Sequence, residues 1–115
     1  MEFEVTNHIA LVFENQTSTI DFFKAFKNIY PKIQSKNIIV LLADFQISAS
    51  GFIEKILKIS ESHQKSNRSF VIVSATAVPD KLPEALIWAP TLQEAKDLIE
   101  MDEMQRDLGF LNTLY

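Results

Sequence analysis

The sequence predicts a mixed α/β (α+β) fold: a mixed sheet of four to five strands with helices packed on it, in the order β-β-α-β-α-β-(short turn or helix)-β-α. Three observations predict it. Phe3 and Val5 alternate with Glu2, Glu4 and Thr6, the period-two pattern of a half-buried strand. Asn37 to Ala43 is an unbroken run dominated by β-branched residues and leucine, as in a strand covered on both faces. Elsewhere the apolar period changes to three and four residues, at Ile20, Phe23, Phe26 and Tyr30 and again at Phe52, Ile56, Ile59 and His63, which is the spacing of helices with one buried stripe.

Taken in order, Asn7 turns the chain from the first strand into a second, Ile9 to Phe13, giving a hairpin. A first helix follows, with Ser18 or Thr17 available as N-cap and Pro31 expected to close it near Tyr30. After the central strand, Ser48 or Ser50 is available to cap a second helix from about Ser50. Ser62 to Ser69 is polar and basic, a loop, and Phe70 to Val73 is a short apolar strand. Pro79, Pro83 and Pro90 limit helix length in the next stretch, where Ala85 to Trp88 reads as a short strand. Thr91-Leu92-Gln93-Glu94 is a capping box opening a last helix.

That last helix carries a conflict. Leu92, Ala95, Leu98 and Ile99 make one apolar stripe, whereas Met101, Met104 and Leu108 fall on roughly the opposite side of an ideal helix. Either the helix bends or breaks near Glu100 to Asp102, or the second stripe packs on something else: the domain's own rim or a partner.

Length and composition bound the function. One domain of 115 residues, 47% apolar, buries a core without staples, and the chain has no cysteine for a disulfide, a thiolate nucleophile or a cysteine-held metal. The net charge of −4 has an address: residues 91–107 hold six acids and two bases, and the rest of the chain is balanced. This disfavours nucleic acid, which is bound through clustered Lys and Arg. The opening Met-Glu-Phe-Glu does not fit a signal peptide, and the longest apolar run, Ile38 to Ala43, is far short of the roughly 20 residues of a membrane span. A cytoplasmic protein is expected.

Two isolated glycines, Gly51 and Gly109, cannot make a Walker loop or a dinucleotide fingerprint, and no Gly-x-Ser-x-Gly elbow is present. His8 and His63 have no second histidine at metal-binding spacing and are expected to be surface or rim residues, so no metal and no cofactor are predicted. The most site-like stretch is Asp44 to Gly51. It places an acid at the end of a buried strand and a small-residue loop at a helix N-terminus, the edge where open α/β sheets bind ligands. The alternative is that Asp44 simply ends a strand and the serines cap a helix.

The strand Ile38-Ile39-Val40-Leu41-Leu42-Ala43-Asp44-Phe45, the entry Ser50-Gly51, the strand Phe70-Val71-Ile72-Val73 and the run Pro90-Thr91-Leu92-Gln93-Glu94-Ala95 together resemble STAS domains, the fold of bacterial anti-sigma factor antagonists. The resemblance covers about residues 3–100, which divides the chain into a STAS-like domain, 1–100, and a C-terminal extension, 101–115, packed on it or projecting from it. It implies a non-enzymatic interaction module whose partner is an anti-sigma factor, kinase-like or other cytoplasmic protein. It also implies a loop phosphorylated on serine ahead of the second helix. Aligning on Gly51 puts Ser48 at the family's aspartate, Ala49 at its phosphoacceptor and Ser50 at the following serine, and a slip of one residue would make Ser48 or Ser50 the acceptor. The ending from Met101 to Phe110 is similar to that of small STAS-like proteins associated by name with ribonuclease Z, so an accessory role beside that nuclease is a further alternative.

Two surfaces are therefore candidates: the loop of Asp44, Ser48, Ser50 and Gly51, and the extension with Met101, Asp102, Glu103, Met104 and Leu108. In the extension, methionines adapt to apolar partners and the acids select a basic one. The remaining alternative is a receiver-like domain phosphorylated on Asp44. It needs a further acidic pair for Mg²⁺ and a lysine near the last strand, where Leu86 to Pro90 has none.

Overall fold

A computed structural model describes residues 1–13, 18–42, 50–77 and 79–114, with residues 79 and 109–114 described through their backbone only. β1 (Glu2–Thr6) and β2 (Ile9–Phe13) form the expected antiparallel hairpin, Thr6 opposite Ile9, turned at Asn7 with φ 54°. A short polar side chain tolerates that left-handed backbone better than most residues do. α1 (Thr19–Ile33) is capped by Ser18, whose hydroxyl accepts from the Asp21 N–H at 3.1 Å. Pro31 does not close it. The proline removes one backbone donor on an exposed side of the helix, and the chain continues another half turn to bury Ile33 completely.

β3 (Asn37–Leu41) pairs in parallel with β2 and with β4 (Phe70–Val73), and β4 pairs in parallel with β5 (Trp88–Ala89). The last strand thus lies later than the expected Ala85 to Trp88. Ala85 is in a turn after Pro83, and Ile72 and Ser74 donate their N–H groups to Ile87 and Ala89 across the ladder. A short 3₁₀ turn, Pro79–Lys81, stands where a third crossover helix would otherwise lie. The five strands stand in the sheet in chain order, β1 to β5. The chain is a mixed α/β fold, with three helices among the described residues packed on a mixed sheet.

Alternation along the strands splits the core in two. Ala10, Val12, Ile38, Val40, Phe70 and Ile72 face α1 and α2 (Phe52–Gln64), where Phe22 meets Phe52 edge-on at 5.1 Å. Ile39, Val71, Val73 and Ala89 face the other way, against Ala95 and Ile99 of α3 (Leu92–Leu114). This two-sided cover explains the unbroken apolar run in β3. The Thr91 hydroxyl accepts from the Glu94 N–H at 3.2 Å, the expected cap, and α3 then runs back under the sheet from β5 toward the N-terminal ends of β4 and β3. Among the described residues no helix is long and apolar enough to cross a membrane.

Candidate functional site

The two surfaces singled out in the sequence belong to opposite ends of the parallel strands. Of the loop, Asp44 and Ser48 lie outside the described residues, while Ser50 is exposed and Gly51 is described fully. Neither serine is the N-cap of α2. That position is Gly51, in the left-handed region at φ 76°, with no side-chain cap. A Cβ at Gly51 would meet nothing within 4 Å, so only the backbone demands glycine here. Gly51→Ala is therefore expected to destabilise by about 1–2 kcal/mol without any steric clash, read as a lowered denaturant midpoint at unchanged slope. Ser50 and Gly51 share a hollow with Asp80, Lys81, Leu82 and Pro83, beside the 3₁₀ turn.

At the other end, α3 neither bends nor breaks at Glu100 to Asp102; it runs unbroken across residue 100. The helix has an inner face that changes character midway. Ala95 and Ile99 are buried, and the next turns on that face present Asp102, Glu103 and Arg106. The Ser69 hydroxyl donates to Asp102 Oδ2 at 2.9 Å, and Arg106 Nη1 donates to the Ser69 oxygen at 3.2 Å. The buried Asn37 amide donates from Nδ2 to Glu103 Oε1 at 2.6 Å, while its Oδ1 accepts from the Ser69 N–H at 2.8 Å. His8 Nε2 stands 3.2 Å from the same Glu103 oxygen. Asp102 and Glu103, expected on a free surface with the methionines, are instead turned inward: the 100° step of the helix sets them across from Met101 and Met104.

On the outer face the structure decides among the alternatives the sequence left open. Met101, Met104 and Leu108 are 56%, 61% and 57% exposed, so they do not cover the domain's own rim. Glu94, Asp97, Glu100 and Asp107, all exposed, fall beside them on the helix surface. At its N-terminal end this stripe opens onto a hollow of about 330 Å³ walled by Trp88, Pro90, Leu98 and Met101. The result is an acidic, methionine-bearing ridge, fixed in orientation by the polar contacts on its inner side.

No protein-family model matches the chain, and no curated protein matches it.

Two further features escaped the sequence reading. His63 is not a surface residue. It is fully buried, taking a hydrogen bond from the Tyr30 hydroxyl on Nδ1 at 2.7 Å and giving one from Nε2 to the Lys36 carbonyl at 2.8 Å. That pairing fixes the neutral Nε2–H tautomer, because a carbonyl can only accept. Burial pushes the imidazole below its ordinary 6.5, with the Arg68 charge acting the same way and the Lys36 carbonyl opposing; burial also pushes the Tyr30 hydroxyl up from 10.0.

The second feature is a groove of about 650 Å³ between α1 and α2. Phe23, Phe26, Tyr30 and Ile59 make its apolar floor. Lys27, Lys55 and Lys58 stand along its rim, with Lys55 Nζ 5.7 Å from the centre of the Phe23 ring. The signal in sequence was a lysine following Phe23 and Phe26 and one preceding Ile59, indistinguishable there from a solvated helix face. Among the described residues no three His, Asp or Glu side chains gather as a metal would require.

Proposed function

We propose that the protein is a non-enzymatic interaction module of the STAS kind, acting in the cytoplasm, whose docking element is the outer face of α3. The observation that carries this reading is the ridge itself: Met101, Met104 and Leu108 exposed in line among four acids, on a helix whose other face is fastened to the sheet. Contiguous exposed apolar side chains cost solubility and mark contact surfaces. Methionine adapts to a partner's relief, and the flanking carboxylates favour a basic partner and repel an acidic one.

The strand order also weighs against the receiver-like alternative. Receiver-like sheets reverse their strand order and place the site in the resulting crevice, whereas this sheet runs β1 to β5 without reversal. The same absence weakens the ligand-crevice argument for the loop ending in Gly51. Sequential order with helical crossovers after a first hairpin is consistent with the STAS resemblance.

A photo-cross-linking amino acid at Met104 tests the docking face. It is expected to join a partner through a basic, apolar segment, whereas the same probe at Asn28, exposed on α1 across the sheet from α3, does not. No adduct at Met104 in the presence of the source cytoplasm overturns the reading. In the STAS reading the loop adds a switch: phosphate on Ser48 or Ser50 brings about −1.5 to −2 charges beside the N-terminus of α2. Exposure of Ser50 gives a kinase access. Intact mass after incubation with the cognate kinase is expected to rise by one phosphate, lost in the Ser48→Ala, Ser50→Ala double variant; an unchanged mass removes the switch.

A further inference from the structure

The structure points to a second copy of the same chain as the occupant of the α1/α2 groove, seated through the outer ridge of α3, and we infer that the protein assembles head to tail. The inference rests on the docking reading of α3 and adds the identity of the partner.

Two surfaces of this chain are complementary in chemistry. The ridge presents Met101, Met104 and Leu108 between Glu94, Asp97, Glu100 and Asp107. The groove presents an aromatic floor between Lys27, Lys55 and Lys58, and no acidic residue lines it. Methionine thioethers pack well on aromatic rings. Lysines standing over apolar floors reach carboxylates on a helix laid between them, and lose little by doing so because their stems are already extended along the apolar surface.

The two surfaces also match in length. Met101 and Leu108 are seven residues apart, as are Phe23 and Tyr30 on one wall and Lys55 and Ser62 on the other. At 1.5 Å per residue each spans about 10 Å. A helix ridge packing into the furrow between two neighbouring helices is the ordinary geometry of helix contacts.

Their placement decides the symmetry. The groove lies on the α1/α2 side of the sheet and the ridge on the α3 side, since the two core halves use alternate residues of the same strands. One copy cannot both give its ridge to a partner and receive the same partner's ridge across a single two-fold contact. The association is heterologous, and copies add in one direction until a ring closes or the chain stops. A contact of two helical turns is at the small end of specific interfaces, so it is weak and concentration-dependent.

Sedimentation velocity of the purified chain from about 10 µM to about 1 mM covers the range in which so small a contact associates. The mass is expected to rise with concentration beyond that of a dimer, and to fall back when about 1 M salt shortens the screening length to about 3 Å. Two variants then isolate the halves of the contact. One carries Met101→Gln, Met104→Gln and Leu108→Gln; the other carries Lys27→Glu, Lys55→Glu and Lys58→Glu. All six positions are at the surface, and circular dichroism verifies that both variants fold. Each alone is expected to stay monomeric. Mixed, they are expected to form one-to-one pairs and nothing larger, because each retains only one working surface.

A wild type that is monomeric throughout overturns the inference, as does a mass that stops at the dimer or a mixed pair that fails to form. Native mass spectrometry showing an acyl anion held by the wild type and lost by the glutamate variant also overturns it, by giving the groove a lipid occupant. A monomeric wild type whose Met104 probe still cross-links a different protein removes the second copy and leaves the docking reading standing; a silent Met104 probe removes both.

Discussion

Asn37→Leu is expected to lower stability by about 2–4 kcal/mol and to loosen the second half of α3. The substitution leaves the buried Ser69 N–H without its acceptor and takes from Glu103 its bond to the Asn37 amide. A buried donor left unpaired costs about 1–3 kcal/mol, and a lost bond to a charged group about 1.5–3, with the two overlapping because one side chain makes both. Equilibrium denaturation gives the total. Hydrogen exchange locates it: amides of residues 102–108 should exchange far faster while those of β3 and β4 remain protected above them. Asn37→Asp separates the two contributions. It keeps an acceptor for Ser69 but sets a carboxylate against Glu103 and Asp102, with Arg106 offsetting part of the repulsion, so α3 loosens more than the sheet does. Uniform exchange along the whole chain would show that α3 and the sheet open as one unit.

His63→Ala is the second large effect, again about 2–4 kcal/mol. It opens a cavity between Tyr30 and Phe70, whose rings stand 5.6 and 6.0 Å from the imidazole, and it strands the Tyr30 hydroxyl and the Lys36 carbonyl. The wild type carries a pH signature of the same residue. Unfolded, His63 titrates near 6.5; folded, its proton affinity is lower, chiefly through burial. The unfolded chain thus binds more protons in that window, so the contribution of His63 is whole above about 6.5 and is lost as pH falls from there toward the depressed folded value. Melting temperature should drop between about pH 7 and pH 5, and His63→Phe should remove that part of the drop while filling most of the cavity. An equal drop in the variant would assign the effect to other groups.

How much of this was legible depended on which interaction set the position. β3, the first hairpin and the two crossover helices were legible because apolar burial fixed them, and burial writes a period into the sequence. Pro31 misled because a proline forbids one hydrogen bond locally, while Ile33 two residues later was worth burying. The serines before α2 misled in the same way: they are good caps by type, but the backbone turned at Gly51. In α3 the sequence displayed the conflict between its two apolar stripes and could not resolve it. The resolution lies in Asn37, Ser69, Asp102, Glu103 and Arg106, polar residues with no periodicity, which meet only because the parallel register brings the starts of β3 and β4 together. His63 was illegible for a related reason: its partners Tyr30 and Lys36 lie 33 and 27 residues away. The basic groove needed two helices side by side before its lysines bordered anything.

The strand order has a kinetic side as well. Each strand pairs with the one made just before it, but only the first pair closes through a tight turn; the parallel pairs close across crossovers that carry α1, α2 and the 3₁₀ turn, so the sheet is expected to grow slowly outward from its first hairpin. α3 is the exception, reaching back 66 residues from Glu103 to Asn37. Until α3 docks, Ile39, Val71 and Val73 lack their cover on that face, and exposed apolar strand faces invite aggregation. Docking of α3 is therefore the step that takes this face of the sheet out of reach of other chains.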